Sequence, residues 1–451
     1  MAKHASKQVP HKRTDRGART KASARKPIGV GGRGQHRSRS NLVCSISDVC
    51  GACDMVEMPY SEQLKRKEQL VRDLYADLLE PDTLMPILGM EHPFGFRDKI
   101  ASPFAPDRRA MSRAKAQRTG RASKHPSLPR EAIRCGLYAA GTHRIISVKT
   151  CPVEHPVGRK VVLAVQQLMA RYGVAPYDED RQSGFMRYVV VRVGHESREV
   201  LVTLVTASDV FPGAKNFCRE LVRLCPEITS IVQNINPHVT NAILGMREQV
   251  LFGPGFILDT LCGLSFRISS HSFYQVNATQ TEALYNQAMD FARLDDFVEP
   301  MILDAYCGTG TIGLVAASKA RQARIIGVDN ISSAIEDAKG NARHNGLGNA
   351  AFITSDASDF MRQFAVDGKR ADIVFMDPPR AGSTPEFIAS VGMLAPKRIV
   401  YISCNPRTQV RDVRMIMRHG YRLEKLRPVD MFPHTSHVEC IALLSQDQKG
   451  Q

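Results

Sequence analysis

Two residues in the C-terminal part of the chain could do covalent chemistry. Cys404 stands where the β-forming run Ile399, Val400, Tyr401, Ile402 stops, with Ser403 before it and Asn405 and Pro406 after it. Glu439 opens a later apolar run, in the stretch MFPHTSHVECIALL. An isolated thiol at a strand end is ordinarily inert packing, but the S-C-N-P turn and the later carboxylate argue for a nucleophile and a base. A thiolate is the reactive form of cysteine. Added to C6 of a pyrimidine, it makes C5 enolate-like, so that C5 can take a methyl group it would otherwise resist. The C5 proton must then be removed before the thiolate can leave, and a positioned carboxylate can remove it.

The elements that must position these residues follow from the hydrophobic pattern. From about residue 256 the apolar runs PMILDAY, ARIIGVD, AAFITSD, ADIVFMD and RIVYIS alternate with helical stretches such as TIGLVAASKA and ISSAIEDAKGNARHN. Strands separated by helices predict an α/β, doubly wound, Rossmann-like domain with its ligands at the carboxyl ends of the strands. Acids stand at four of those ends: Asp304, Asp329, Asp356 and Asp377. In DAYCGTGTIGL, Gly308 and Gly310 let the backbone turn tightly ahead of a helix, without the spacing of dinucleotide binders or the lysine of a P-loop. Asp329 is placed to accept ribose hydroxyls and Asp356 an adenine amino group, which fits an adenosine-bearing ligand and, with this glycine pattern, S-adenosylmethionine. The alternative role for each acid is to cap a helix. In MDPPR, Arg380 stands where amino-directed methyltransferases carry a base-stacking aromatic residue, which disfavours methylation of an exocyclic amine.

Composition and pattern divide the chain into a disordered basic arm (1–43), a cysteine-bearing segment and helix (44–95, the helix at about 60–80), a central, β-rich α+β domain expected to bind RNA (96–255), the strand–helix domain expected to bind S-adenosylmethionine (256–446) and a tail (447–451). Of a net charge of +16, residues 1–40 carry 12 Lys or Arg against one acid, and residues 97–130 carry 10 against two. Such concentration points to a polyanion, and nucleic acid is the usual one. No apolar run approaches a membrane span, and no secretory signal opens the chain, so a cytoplasmic protein is expected. Eleven cysteines then read as metal-binding or catalytic rather than disulfide-forming. Cys44, Cys50 and Cys53 form one triad, and either Cys135 or Cys151 could supply a fourth ligand to an iron–sulfur cluster or a structural zinc.

Taken together, SFYQVNATQTEALY, DAYCGTGTIGL, MDPPRAG, YISCNPRTQVRD and DMFPHTSHVE make residues from about 255 to 445 resemble the RNA 5-methyluridine (uracil-C5) methyltransferases. The resemblance implies Cys404 as nucleophile and Glu439 as base, with Gln275, Tyr306, Asp329 and Asp377 contacting S-adenosylmethionine and Thr311 and Asp356 assisting. It implies packing roles for Phe273 and Tyr274. Because cluster-bearing members have Cys-Pro at the place of Cys151, it favours a [4Fe–4S] cluster on Cys44, Cys50, Cys53 and Cys151, and with it the branch that acts on 23S rRNA. Transfer RNA is the alternative substrate, followed by an RNA-binding or ribosome assembly factor with incidental methylation; cytosine C5 methylation lacks its Pro-Cys. Many family members begin with a small RNA-binding β-barrel, for which this chain has the basic arm, so recognition would rest on the central domain of a monomer.

Overall fold

The computed structural model describes residues 43–116 and 128–447. Most of the basic arm, part of the 97–130 stretch and the last four residues of the tail lie outside them. Among the described residues no helix is long and apolar enough to cross a membrane.

Helix α1 (Tyr60–Leu74) precedes a seven-stranded sheet built from β1 (Lys99–Pro106), β2 (Ile133–Tyr138), β3 (Ile145–Ser147), β4 (Met186–Val193), β5 (Val200–Thr206), β6 (Ile228–Ile235) and β7 (Arg247–Phe252). Its order is β3-β2-β1-β4-β5-β6-β7. Strands β4 and β5 form an antiparallel hairpin, and β6 joins β5 in parallel. Helices α2 (Arg108–Ala116), α3 (Pro156–Tyr172) and α4 (Ala214–Leu224) lie among these strands. The α3 and α4 residues Val161, Val165, Leu168, Phe217 and Leu221 bury one face of the sheet. A hairpin of β8 (Ile257–Leu261) and β9 (Leu264–Ile268) covers part of the other, where Ile257 and Ile268 meet Leu201 and Val232.

After α5 (Ala278–Ala292) the second sheet begins. Strands β10 (Met301–Ala305), β11 (Arg324–Asp329), β12 (Ala350–Thr354), β13 (Ile373–Met376) and β14 (Arg398–Ser403) are parallel. Helices α6 (Thr311–Lys319), α7 (Ser332–His344), α8 (Ala357–Val366), α9 (Pro385–Leu394) and α10 (Pro406–Met417) connect and follow them. The chain closes with β15 (Tyr421–Val429) and β16 (Glu439–Gln446), giving the order β12-β11-β10-β13-β14-β16-β15. The apolar runs lack polar alternation because both faces are covered. Ile373 and Phe375 of β13 enter one core with α5, α6 and α7, whereas Val374 and Met376 enter the other with α8, α9 and α10. Strand β10 lies between β11 and β13, which are reached in opposite directions, so a crevice opens at its carboxyl end.

Three features differ from the sequence expectation. Helix α1 stops at Leu74 instead of about 80, and Tyr75 buries itself with its hydroxyl donating to Gln409 at 3.0 Å. Within the central domain expected to be β-rich, α2 forms because the Asp107 carboxylate accepts from the backbone of Arg109 and Ala110, capping a run of good helix formers. Strand β16 inserts antiparallel between β14 and β15, a pairing that local pattern does not encode.

Candidate active site

The crevice is a cleft of about 970 Å³, and it gathers Gln275, Tyr306, Thr311, Asp329, Asp356 and Asp377 together with Cys404 and Glu439. The eight residues expected to bind cofactor or react, spread over the second half of the sequence, therefore share one wall or another of it. The turn after β10 accounts for much of the shape. Gly310 adopts φ +79°, and a Cβ there would lie 2.7 Å from Phe352. Gly313, one turn into α6, lies so close to β10 that its N–H donates to the Asp304 carboxylate at 2.8 Å. Asp304 is thus spent on holding the helix start, and its buried second oxygen has no hydrogen-bond partner. Burial pushes its carboxyl up to about 7.

Asp329 receives the N–H groups of Gly308 at 3.0 Å and Ile331 at 2.9 Å, which orient its carboxylate at the end of β11. Asp356 does cap α8, accepting from Ser358 and Asp359, while it also lines the cleft. Thr311 is tied to Tyr285 of α5 at 2.8 Å. Tyr306 adopts φ +61°, a conformation costly for a tyrosine, with its ring against Phe387. A Cβ on Gly308 would meet nothing within 4 Å, so the backbone there faces open cleft. An acidic cleft with a bare backbone turn suits a ligand that carries an ammonium, a sulfonium and a ribose, and the residues fit S-adenosylmethionine.

Strand pairing brings the two reactive candidates together. Ser403 of β14 pairs with Cys440 of β16 in antiparallel register, so one step further along sets Cys404 opposite Glu439. Cys404 is half-buried, and its thiol is pushed up first by burial and then by the charges of Glu439 and Asp377, with Arg380 opposing. Glu439 is 3% exposed. Burial, with a further contribution from Asp377, pushes its carboxyl up to about 8, and Arg380 pulls the other way. Asp377 is raised to about 7 by burial. The pair is a thiol and a strongly basic carboxylate at the lip of a large cleft.

A family model described as tRNA (Uracil-5-)-methyltransferase matches residues 260–447. Uncharacterized RNA methyltransferases of Halalkalibacterium halodurans (36% identical, over 90% of this chain and 83% of that protein) and Lactiplantibacillus plantarum (37%, over 88% and 82%) are similar nearly end to end. The chain belongs to the RNA uracil-C5 methyltransferases. Among solved structures, the Pyrococcus abyssi tRNA (uracil-54, C5)-methyltransferase in complex with S-adenosyl-L-homocysteine is 27% identical, with a TM-score of 0.68 over 87% of this chain and 85% of that one. This is therefore a methyltransferase dependent on S-adenosylmethionine, acting on uridine C5 in RNA.

The metal expectation is corrected. Cys44, Cys50, Cys53 and Cys151 of the methyltransferase do face one cavity, but it measures about 20 Å³, roughly the room of a single water. Among the described residues no group of three or more His, Cys, Asp or Glu is placed to hold a metal ion. Neither a [4Fe–4S] cluster nor a structural zinc is supported, and the assignment to the cluster-bearing 23S rRNA branch falls with them. Apolar neighbours such as Ile46, Val56 and Leu137 surround the thiols. Burial pushes Cys53 up to about 12 and also raises Cys50 and Cys151. Cys135 is buried in the core of the first sheet.

Phe273 departs from the packing role expected of it: it is 68% exposed at the cleft, whereas Tyr274 packs near Phe266. Sequence reasoning also missed what holds Glu439 in place. The loop between β15 and β16 is pinned by Asp430, which accepts from Lys67 of α1 at 2.5 Å and from Tyr60 at 2.7 Å, all but sealed from solvent. Lys67 also donates to the Phe432 carbonyl, and Gln63 binds His434 through both its side chain and its backbone. The cysteine segment joins in, with Met55 donating to the His434 carbonyl and Asp54 accepting from Ser436. The available signal was DMFPHTSHVE itself, whose polar residues other than Glu439 had no assigned partner.

Proposed function

We propose that this enzyme forms 5-methyluridine in transfer RNA, with Cys404 as the nucleophile and Glu439 as the general base. The observation that carries the roles is the β14–β16 register, which sets thiol and carboxylate side by side at the cleft. Transfer RNA is supported by the description of the matching family and by the substrate of the Pyrococcus relative. S-adenosylmethionine, held by Gln275, Tyr306, Thr311, Asp329, Asp356 and Asp377, supplies the electrophilic methyl group. Cys404 Sγ adds to C6 of the uracil, and the electron pair of the C5–C6 bond moves onto C5 and O4. Arg380, beside both reactive groups, offsets the negative charge that then develops. After C5 has been alkylated, Glu439 removes its proton, the C5–C6 double bond re-forms and the thiolate leaves.

A uridine inside a stem must leave its stack to reach this site. Arg109 and Arg113 on α2 are exposed, within the basic stretch, and supply phosphate contacts in the central domain. We place the enzyme in the cytoplasm, where its RNA substrate is found. The test is twofold. Mapping 5-methyluridine in total RNA of a deletion strain should show its loss from transfer RNA. With transfer RNA containing 5-fluorouridine, wild-type protein should form a covalent adduct that Cys404→Ser does not; an adduct persisting in that variant refutes the assignment.

A further inference from the structure

Cys404 is shared by two cavities. Besides the cofactor cleft, a second hollow of about 250 Å³ borders the thiol, and only Cys404 and Arg380 line both. The two differ in charge. The cleft is lined by Asp329, Asp337, Asp356, Asp377 and Glu439, whereas the second hollow has no acidic lining residue and carries Arg380, Arg407 and His437. Arg407, in the first turn of α10, is exposed and makes no ion pair among the described residues; nor does Arg380. A cationic methyl donor is attracted to the acidic cleft. A phosphodiester is repelled there and attracted to the basic hollow. The half-buried Leu70 and Leu74 give the hollow an apolar wall, and Asn405, Pro406, Ser436 and Val438 complete its lining. The two leucines belong to α1, which lies outside the methyltransferase sheet and is fastened to it by the Lys67–Asp430 pair.

We propose that this hollow is the nucleotide port. The target uridine reaches Cys404 through this hollow and not through the cofactor cleft, Arg407 binds a phosphate flanking the extruded nucleotide, and Leu70 and Leu74 support the adjoining ribose or base. The proposal rests on the uridine-methylating function argued above, and it makes the N-terminal helix part of the RNA site.

The test compares wild type, Arg407→Gln and Arg407→Lys, with transfer RNA transcripts containing 5-fluorouridine as the probe. Binding is measured across a salt series, together with adduct formation at saturating RNA and S-adenosylmethionine affinity. Removing the cation that neutralises one phosphate lowers the slope of log affinity against log salt by about 0.7 to 0.9. Arg407→Gln should show that reduction, with RNA affinity weakened about five- to tenfold at about 100 mM salt and cofactor affinity unchanged. Arg407→Lys should recover most of the slope, because a point charge serves a phosphate. If wild type forms the adduct and Arg407→Gln keeps its affinity and slope, the port is wrong while the function stands. If wild type forms no adduct, the function fails and takes the port with it.

Discussion

Replacing Glu439 by glutamine separates its chemistry from its cost to the fold. Its carboxyl titrates at about 8 in the native protein against an ordinary value of 4.5. Between those pH values the native state holds a proton that the unfolded chain has released, so wild-type stability falls as pH rises through the window. Each unit of difference is worth about 1.4 kcal/mol, so the full gap corresponds to about 3 to 5 kcal/mol at its upper end. Glutamine is nearly isosteric and does not titrate, so the variant loses that dependence and keeps only a pH-independent packing difference. For a chain of this size, with unfolding entropy of about 2.1 cal/mol/K per residue, the change corresponds to a shift of about 3 to 5 °C in Tm. Calorimetric scans of wild type and Glu439→Gln from about pH 5 to 8.5 should therefore diverge by that amount in favour of the variant. With unmodified RNA and S-adenosylmethionine, the variant should also accumulate the methylated Cys404 adduct, since nothing removes the C5 proton. A Tm difference that stays constant across the pH range would refute the claim that Glu439 is buried as an acid with a raised pKa.

Other perturbations follow from the same geometry. Lys67→Met leaves the Asp430 carboxylate buried without its cation and should cost about 3 to 5 kcal/mol, read as a fall in Tm of about 3 to 5 °C by calorimetry. Asp329→Asn weakens the charge-assisted bonds that shape the Gly308 turn. It should raise the KM for S-adenosylmethionine about tenfold and leave RNA affinity unchanged in a binding assay. Arg109→Gln with Arg113→Gln should lower the salt slope of RNA binding by about 0.7 to 0.9 for each phosphate left without its arginine, measured by titration at several ionic strengths. Single-turnover methylation by wild type should rise as pH increases from about 6 to 9, because both the Cys404 thiol and the Glu439 carboxyl act in their ionised forms and burial has raised both.

Much of the site was legible because its parts are local. A strand ending in an acid, followed by a glycine turn and a helix, is short-range information, and Gly308, Gly310 and Asp329 carry it within a few turns of chain. The same holds for Cys404, whose turn residues mark the end of its strand. The Cys44–Cys53 spacing was equally local and misled: the thiols face one small cavity among apolar side chains, and among the described residues no group of three or more His, Cys, Asp or Glu is placed to hold a metal ion.

By itself the sequence determined the α/β class, and it marked Cys404, Glu439 and the acidic series at the strand ends as the candidate site, since these follow from hydrophobic period and residue type. Only the tertiary structure decided that β16 lies antiparallel beside β14, which makes Cys404 and Glu439 neighbours. It alone placed Lys67 on Asp430, across 363 residues of chain, and set Leu70 and Leu74 beside the reactive thiol. Packing of that kind depends on burying side chains from distant segments against one another, and the period of a single segment holds no record of its partner.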